Sequence, residues 1–342
     1  MNSRRRFIKS TGLLAAAGLL IPSETFSQIS NPEKGKIKPK ALKAGDTIAI
    51  TSPAGAIWDE TQIETFSAIL KNIGFNVILG KTLTAKFGYF AGMDELRAHE
   101  LNDFFANKEV KGIFCMKGGW GCARILDKIE YDLIEKNPKI LIGFSDITTL
   151  LIAITTKTGL ITFHGPVGNS GWNDFTRSVF LNVVMTSKPY VFPENPVTEN
   201  RPTMINPGKV TGELIGGNLT VLTSLIGSGY LPDWKNKILF LEEVKEEPYS
   251  IDRMLTQLKL SGVLNSISGL VFGKCAKCLA EEPLKSFTFH EVILQHIQPL
   301  GIPAFYGAMI GHIENKLTLP LGINASIDAE KGTISLNENS VV

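Results

Sequence analysis

The chain has 342 residues, with 44% hydrophobic and 20% charged residues and a formal net charge of +2. That length and balance describe a globular protein with room for two domains of ordinary size. Charge so close to neutral excludes a basic field for nucleic acid, and four cysteines are too few for a disulfide scaffold.

The N-terminus reads as an address rather than as part of a fold. Ser3, the arginines 4–6, Phe7 and Lys9 fit the twin-arginine export pattern, followed by an apolar run over residues 12–21 and a polar stretch ending in the small residues Thr25 and Ser27. The run over residues 11–21 is too short to span a bilayer. No Cys stands near the expected cleavage point, so a lipid anchor is not expected. Residues 1–27 are therefore expected to be a cleavable signal peptide, leaving a periplasmic protein without a stable membrane anchor. Losing Arg4, Arg5, Arg6, Lys9 and Glu24 takes the formal charge from +2 to about −1, which leaves nucleic acid excluded as a partner.

A Lys- and Pro-bearing linker covers residues 28–44. Residues 46–51 then form an apolar strand running into the turn composition Ser52, Pro53, Ala54, Gly55. A helix is expected over 60–73, stopped by Gly74, then a strand over 75–79. A second helix follows over 94–105, with Asp94 as its N-cap, and a third strand over 110–116. Lys117, Gly118, Gly119, Trp120 and Gly121 follow as a glycine-rich loop, with a helix continuing to residue 129. Strands alternating with helices predict a mostly parallel α/β sheet with ligands at the strand carboxyl ends.

The next unit is the most informative. Ile140, Leu141 and Ile142 make a buried strand, Gly143 and Phe144 a turn, and Ser145 and Asp146 open a helix that closes at Gly159. A serine at the apex of strand, turn and helix has the geometry of a nucleophile elbow. The alternative is a helix-capping serine, since the second glycine of Gly-x-Ser-x-Gly is missing. After His164, Gly165 and Pro166 the pattern changes. Residues 187–207 carry five prolines and little periodicity, the mark of an interdomain connection. A glycine-bearing segment over 212–220 leads to a short helix, and an apolar strand over 237–241 runs into Glu242 and Glu243. A helix over 251–260, a strand over 269–273, a helix over 289–297 and strands over 304–309, 316–320, 324–328 and 332–336 complete the chain. The expectation is an α/β protein in two parts. A parallel-sheet domain with the elbow spans residues 45–186, and a smaller mixed, β-rich domain spans residues 208–342.

Three polar residues stand directly after apolar strands: Ser145, Glu242 and His312. A serine needs a base within reach and an acid to orient that base, so these types form the minimum set for nucleophilic catalysis. His164 competes with His312 as the base, and Glu243 with Glu242 as the acid. The Gly118–Gly121 loop fits either a phosphate cradle, without the spacing of a known nucleotide motif, or an oxyanion hole. Cys275 and Cys278 have redox or half-zinc spacing, but no second pair accompanies them, so two buried or half-buried thiols are expected.

These motifs, in order from about Leu42 to the end of the chain, resemble the LD-carboxypeptidases of peptidase family S66, which include murein tetrapeptide carboxypeptidases and microcin-immunity peptidases. The resemblance rests on Ser52 to Gly55, Tyr89 to Arg97, Lys117 to Gly121, Ile142 to Asp146, His164 to Pro166, Gly216 to Leu219, Leu241 to Val244, Gly311 with His312, and Leu319 to Gly322. It implies a catalytic Ser145, Glu242 and His312, an oxyanion hole from backbone N–H groups near Gly119 and Asp146, and no metal or cofactor. It also implies two domains with the site between them, a homodimer, and a muropeptide or peptide substrate. Lys117 and Trp120 stand where the family usually has Arg and Tyr. Lys117 keeps the charge for a substrate carboxylate but not a bidentate fork. The rival readings are a peptidase of aminoacyl-nucleotide conjugates and a non-catalytic muropeptide- or nucleotide-binding protein.

Overall fold

A computed structural model of the chain describes residues 35–197 and 201–342. The expected signal peptide and residues 28–34 of the linker lie outside the described residues. The first sheet is built from β1 (Thr47–Thr51), β2 (Asn76–Leu79), β3 (Val110–Cys115), β4 (Ile140–Gly143) and β5 (Thr162–His164), with β12 (Leu319–Leu321) at one edge. Its order is β12-β5-β4-β3-β1-β2, parallel throughout except where β12 joins β5. Apart from the edge strand β2, the strands are short, largely apolar runs that are mostly buried, as a sheet covered by crossover helices requires. Those helices include α1 (Thr61–Ile73), α2 (Asp94–Ala106), α3 (Tyr131–Lys136), α4 (Thr148–Thr158) and α5 (Asp174–Met185). Gly74 and Gly159 end α1 and α4 in left-handed conformations, as the sequence pattern predicts.

The second sheet has the order β6-β14-β13-β8-β9-β10-β11-β7. Its centre is parallel: β8 (Lys209–Asn218), β9 (Lys237–Val244), β10 (Gly269–Ala276) and β11 (Ala304–Ala308). The antiparallel flanks are β6 (Tyr190–Val191), β7 (Thr203–Asn206), β13 (Ile323–Asp328) and β14 (Thr333–Leu336). Helices α6 (Leu219–Ser224), α7 (Pro248–Leu260), α8 (Val263–Ser266) and α9 (Phe289–Ile297) connect them.

Several local expectations change. The segment after Gly121 is a 3-10 turn over Cys122–Lys128 followed by the short α3, and the cap of α2 is Met93 rather than Asp94. Asp94 instead faces two arginines. The glycine-bearing segment before α6 is the long strand β8. The proline-rich stretch 187–207 supplies β6 and β7, the two opposite edges of the second sheet. β12 and β13 are separated by Gly322 alone, so the chain passes from one sheet to the other in a single residue. The N–H of Gly322 donates to the Leu214 carbonyl of β8, which pins that crossing.

Cys275 and Cys278 are joined in a disulfide, correcting the expectation of two thiols. Lys277 between them has a φ of 61°, and this turn brings the two Cα atoms to 5.6 Å, within bridging range. Cys115 and Cys122 remain buried thiols. Among the described residues no helix is long and apolar enough to cross a membrane.

Candidate active site

The carboxyl ends of the parallel strands in both sheets face one another. On the first sheet, β4 ends at Gly143, and Ser145 holds a φ of 64°, a conformation that non-glycine residues seldom adopt. The strand thus turns abruptly into the helical segment of Ser145–Ile147 and α4, which is the elbow geometry. Gly118 lies directly over this turn. A Cβ there would stand 2.8 Å from the Ser145 Cβ, 3.0 Å from its Oγ and 3.2 Å from the Asp146 nitrogen, so only glycine lets the loop approach the hydroxyl.

The loop is held from behind. The N–H of Gly55 donates to the Gly118 carbonyl at 3.2 Å, and Gly119 packs against Gly55. The Asp146 carboxylate is buried and accepts the Cys122 N–H at 2.8 Å. Its pKa is raised by burial, against the Cys122 hydrogen bonds and the charge of Arg97. Asp146 therefore offers its backbone to the site and its side chain to the loop. Arg97, fully buried, donates to the carbonyls of Pro53 (2.5 Å), Gly121 (2.9 Å) and Gly92 (3.3 Å) and pairs with Asp94. It binds three loops together. The sequence showed it only as a motif residue; its burial depends on contacts between segments far apart in the chain.

Lys117 and Gly119 line a cavity of about 290 Å³ with Gly55, Ala56, Trp58, Tyr89 and Trp120. The Lys117 ammonium donates to the Ala56 carbonyl at 3.2 Å. Two of its three N–H groups are not used by that bond.

On the second sheet, Glu242 and Glu243 stand near the carboxyl end of β9 and point to opposite faces, as consecutive strand residues must. Glu242 is fully buried, and the Nδ1–H of His312 donates to its Oε2 at 2.8 Å. Because a carboxylate only accepts, Nδ1 carries the proton and Nε2 keeps the lone pair. Gly311 makes room for this contact, since a Cβ there would lie 2.4 Å from Oε2. The His312 ring packs edge-on against Phe144, the neighbour of Ser145, at 4.8 Å between centroids. The three residues singled out in the sequence are thus gathered at one junction of the two sheets. Glu243 instead accepts from the Asn218 side chain (3.0 Å), from the N–H and hydroxyl of Thr220 (2.8 Å each) and from the Val244 N–H (2.9 Å), fixing the turn from β8 into α6. The Asn218 N–H donates to the Thr148 hydroxyl at the start of α4 (3.1 Å), which ties that turn to the elbow.

His164 is buried between Phe144 and Phe240, at 5.9 and 5.3 Å, and has no hydrogen bond among the described residues. Burial pushes its imidazole down to about 4. Lys316, which the sequence reading did not single out, is buried with its ammonium 5.6 Å from the Phe144 ring and donating to the Ile313 carbonyl at 2.5 Å. Burial lowers its pKa to about 8, against the pull of Glu242 and Glu314.

Comparison with known proteins gives the class. The model of the LD-carboxypeptidase N-terminal domain matches residues 48–165, and that of the LD-carboxypeptidase C-terminal domain matches residues 211–327. The chain belongs to the S66 family of LD-carboxypeptidases, which makes it a peptidase. A probable murein peptide carboxypeptidase of Bacillus subtilis is 38% identical over 302 residues, covering 86% of this chain and 93% of the relative. The microcin C7 self-immunity protein MccF of Escherichia coli is 32% identical over 330 residues, covering 87% and 94%. Among solved structures, MccF in complex with glutamyl sulfamoyl guanosine superposes with a TM-score of 0.82 at 29% identity, covering 89% of this chain and 99% of that one. The muramoyltetrapeptide carboxypeptidase of Oxalobacter formigenes superposes with a TM-score of 0.73 at 29% identity, covering 85% and 97%.

Two predictions follow from the buried ionisable groups. Arg97→Met should leave the buried carbonyls of Pro53, Gly92 and Gly121 without their donor and Asp94 paired with Arg124 alone, lowering stability by about 3–5 kcal/mol in urea unfolding. Limited proteolysis should then cut within the 117–121 loop. His164 sets a pH dependence. Its folded-state pKa lies below the ordinary histidine value of 6.5, so as pH falls the unfolded chain takes the proton first. The penalty is absent above about pH 6.5, grows down to about pH 4, and reaches about 3 kcal/mol there. Unfolding curves between about pH 7 and pH 4.5 should show the parent losing more stability than His164→Gln.

Proposed function

We propose that the chain is a serine-type LD-carboxypeptidase that acts after export and releases the terminal D-alanine of murein tetrapeptides. The observation that carries this reading is the Glu242–His312 hydrogen bond packed against Phe144 beside the positive-φ Ser145. Ser145 attacks the peptide carbonyl while His312 takes the hydroxyl proton at Nε2 and then gives it to the leaving amine. Glu242 holds the imidazole in the required tautomer and stabilises the imidazolium. Backbone N–H groups near Gly119 and Asp146 receive the developing oxyanion. Water then hydrolyses the acyl-enzyme with His312 as base. Lys117, at the wall of the adjoining cavity, is the partner for the substrate's free carboxylate. Preference for a D-residue comes from differential binding in the transition state.

The names of the Bacillus and Oxalobacter relatives and the export pattern support murein as the substrate, because that pattern would deliver the enzyme to the compartment where murein lies. A working homodimer in the periplasm belongs to the same proposal. The second reading is hydrolysis of aminoacyl-nucleotide conjugates, favoured by the MccF superposition and by the aromatic walls Trp58, Tyr89 and Trp120 of the cavity.

The mature protein should release D-alanine from a murein tetrapeptide and leave the all-L peptide and an aminoacyl-sulfamoyl nucleotide intact, as read by mass spectrometry. Turnover of the nucleotide conjugate alone would move it to the second reading, and no acylation of Ser145 by any of the three would indicate a binding protein. Ser145→Ala, His312→Ala and Glu242→Ala should each lower kcat by about 10³-fold or more, with losses far from additive. Export has its own test: with Arg4 and Arg5 both replaced by Lys, precursor should accumulate in the cytoplasm. Unchanged periplasmic recovery would remove the pathway assignment.

A further inference from the structure

Behind the Glu242–His312 pair, three buried polar atoms have no hydrogen-bond partner among the described residues: Glu242 Oε1 and both ring nitrogens of His164. They come from the two sheets, and the charge of Glu242 acts on the His164 ring. His164 ends β5, in register with Gly143 of β4 on one side and with Leu319 of β12 on the other. From the second sheet, Phe240 packs edge-on against the His164 ring. Glu242 is two residues further along β9 and therefore on the same face as Phe240.

Each such atom left without a partner costs about 1–3 kcal/mol, and a carboxylate oxygen more. The set is complementary. The neutral imidazole offers one N–H donor and one lone pair, and the carboxylate oxygen accepts. A single ordered water accepting from the His164 N–H and donating to Glu242 Oε1 satisfies the donor of one and the acceptor of the other, within the usual two to four contacts of buried water.

We propose that His164 is a positioning residue, which through a bridging water holds the second oxygen of Glu242 and so fixes the carboxylate that orients His312. The inference rests on the reading of Glu242 and His312 as the acid and base of the mechanism. The charged and titratable groups facing His164 are Glu242, His312 and Lys316. Burial keeps the ring neutral through the working pH range, so it acts as a dipole and not as a second base. A donor at Oε1 stabilises the carboxylate most when His312 is neutral. Its loss therefore makes the pair easier to protonate, and the apparent pKa of His312 rises.

The test compares His164→Phe, which keeps an aromatic ring without polar atoms, with His164→Gln, which restores a donor and an acceptor. Near-UV circular dichroism first establishes that both are folded. Titration of the His312 imidazole by NMR should show its apparent pKa raised by about half a unit or more in His164→Phe and close to the parent value in His164→Gln. With substrate, His164→Phe should lower kcat about tenfold with KM nearly unchanged and move the acid limb of the pH–rate profile upward, and His164→Gln should recover most of the loss. A His312 titration unmoved in His164→Phe would overturn the proposal, as would equal rate losses in both variants without a shift of the limb. The NMR arm needs no substrate. A parent that hydrolyses nothing would therefore count against the proposed function, while the positioning role would still stand or fall on the titration.

Discussion

The structure depends on burying one carboxylate. Glu242 sits at the end of a parallel strand with no exposed surface, and a charge there survives only with strong, well-aimed partners. The 2.8 Å hydrogen bond from His312 is one of them, and it restricts everything around it. Residue 311 must be glycine, because any side chain would collide with the carboxylate. The imidazole must be covered, and the cover is Phe144 from the other sheet. The pair is therefore complete only when the two sheets are docked, so the chemistry of the junction and the packing of the halves are one constraint. β12 serves the same end by returning chain from the second half to the first sheet, one residue before it enters β13.

The Ser145 side solves a different problem, that of holding glycine-rich backbone still. Gly118 has to lie against Ser145 without a side chain to anchor it, so rigidity comes from neighbours. Arg97 gathers the carbonyls of three loops, Gly55 takes the Gly118 carbonyl, and Asp146 accepts the amide at the loop's far end. Glu243 and Asn218 do the equivalent for the opposing sheet, reaching the elbow through Thr148. Loops that carry flexible residues are thus fixed by buried polar contacts from rigid elements, the arrangement a preorganised oxyanion site demands.

Much of this could be read from the chain because local patterns carry it. Short apolar runs followed by Gly, Ser or Glu mark strand ends, and in a parallel sheet strand ends are where ligands bind, which is why Ser145, Glu242 and His312 stood out. Other features depend on contacts distant in sequence. Glu242 and Glu243 could not be ranked until strand alternation and the position of His312 were known. β8 was hidden because Gly216 and Gly217 look like a turn, although they lie flat against Phe240 and Thr148. The edge strands β6 and β7 sit in proline-rich sequence, where pairing is possible only at a sheet margin. The Cys275–Cys278 bridge turned on the conformation of Lys277, which spacing does not reveal.

The charges behind the junction follow from the same packing. Lys316 is buried near Phe144, and Glu242 partly offsets the burial that lowers its pKa to about 8, so the interior carries a cation near neutrality. His164 is kept neutral by burial, and Asp146 is driven toward its neutral form for the same reason. Of the two histidines at the junction, only His312 retains part of its surface and bonds directly to the acid. A ring that gains a proton during catalysis needs both properties: a counter-charge at Nδ1 and access at Nε2. His164 has neither, which is the physical reason that two histidines indistinguishable by sequence position are distinct in chemistry.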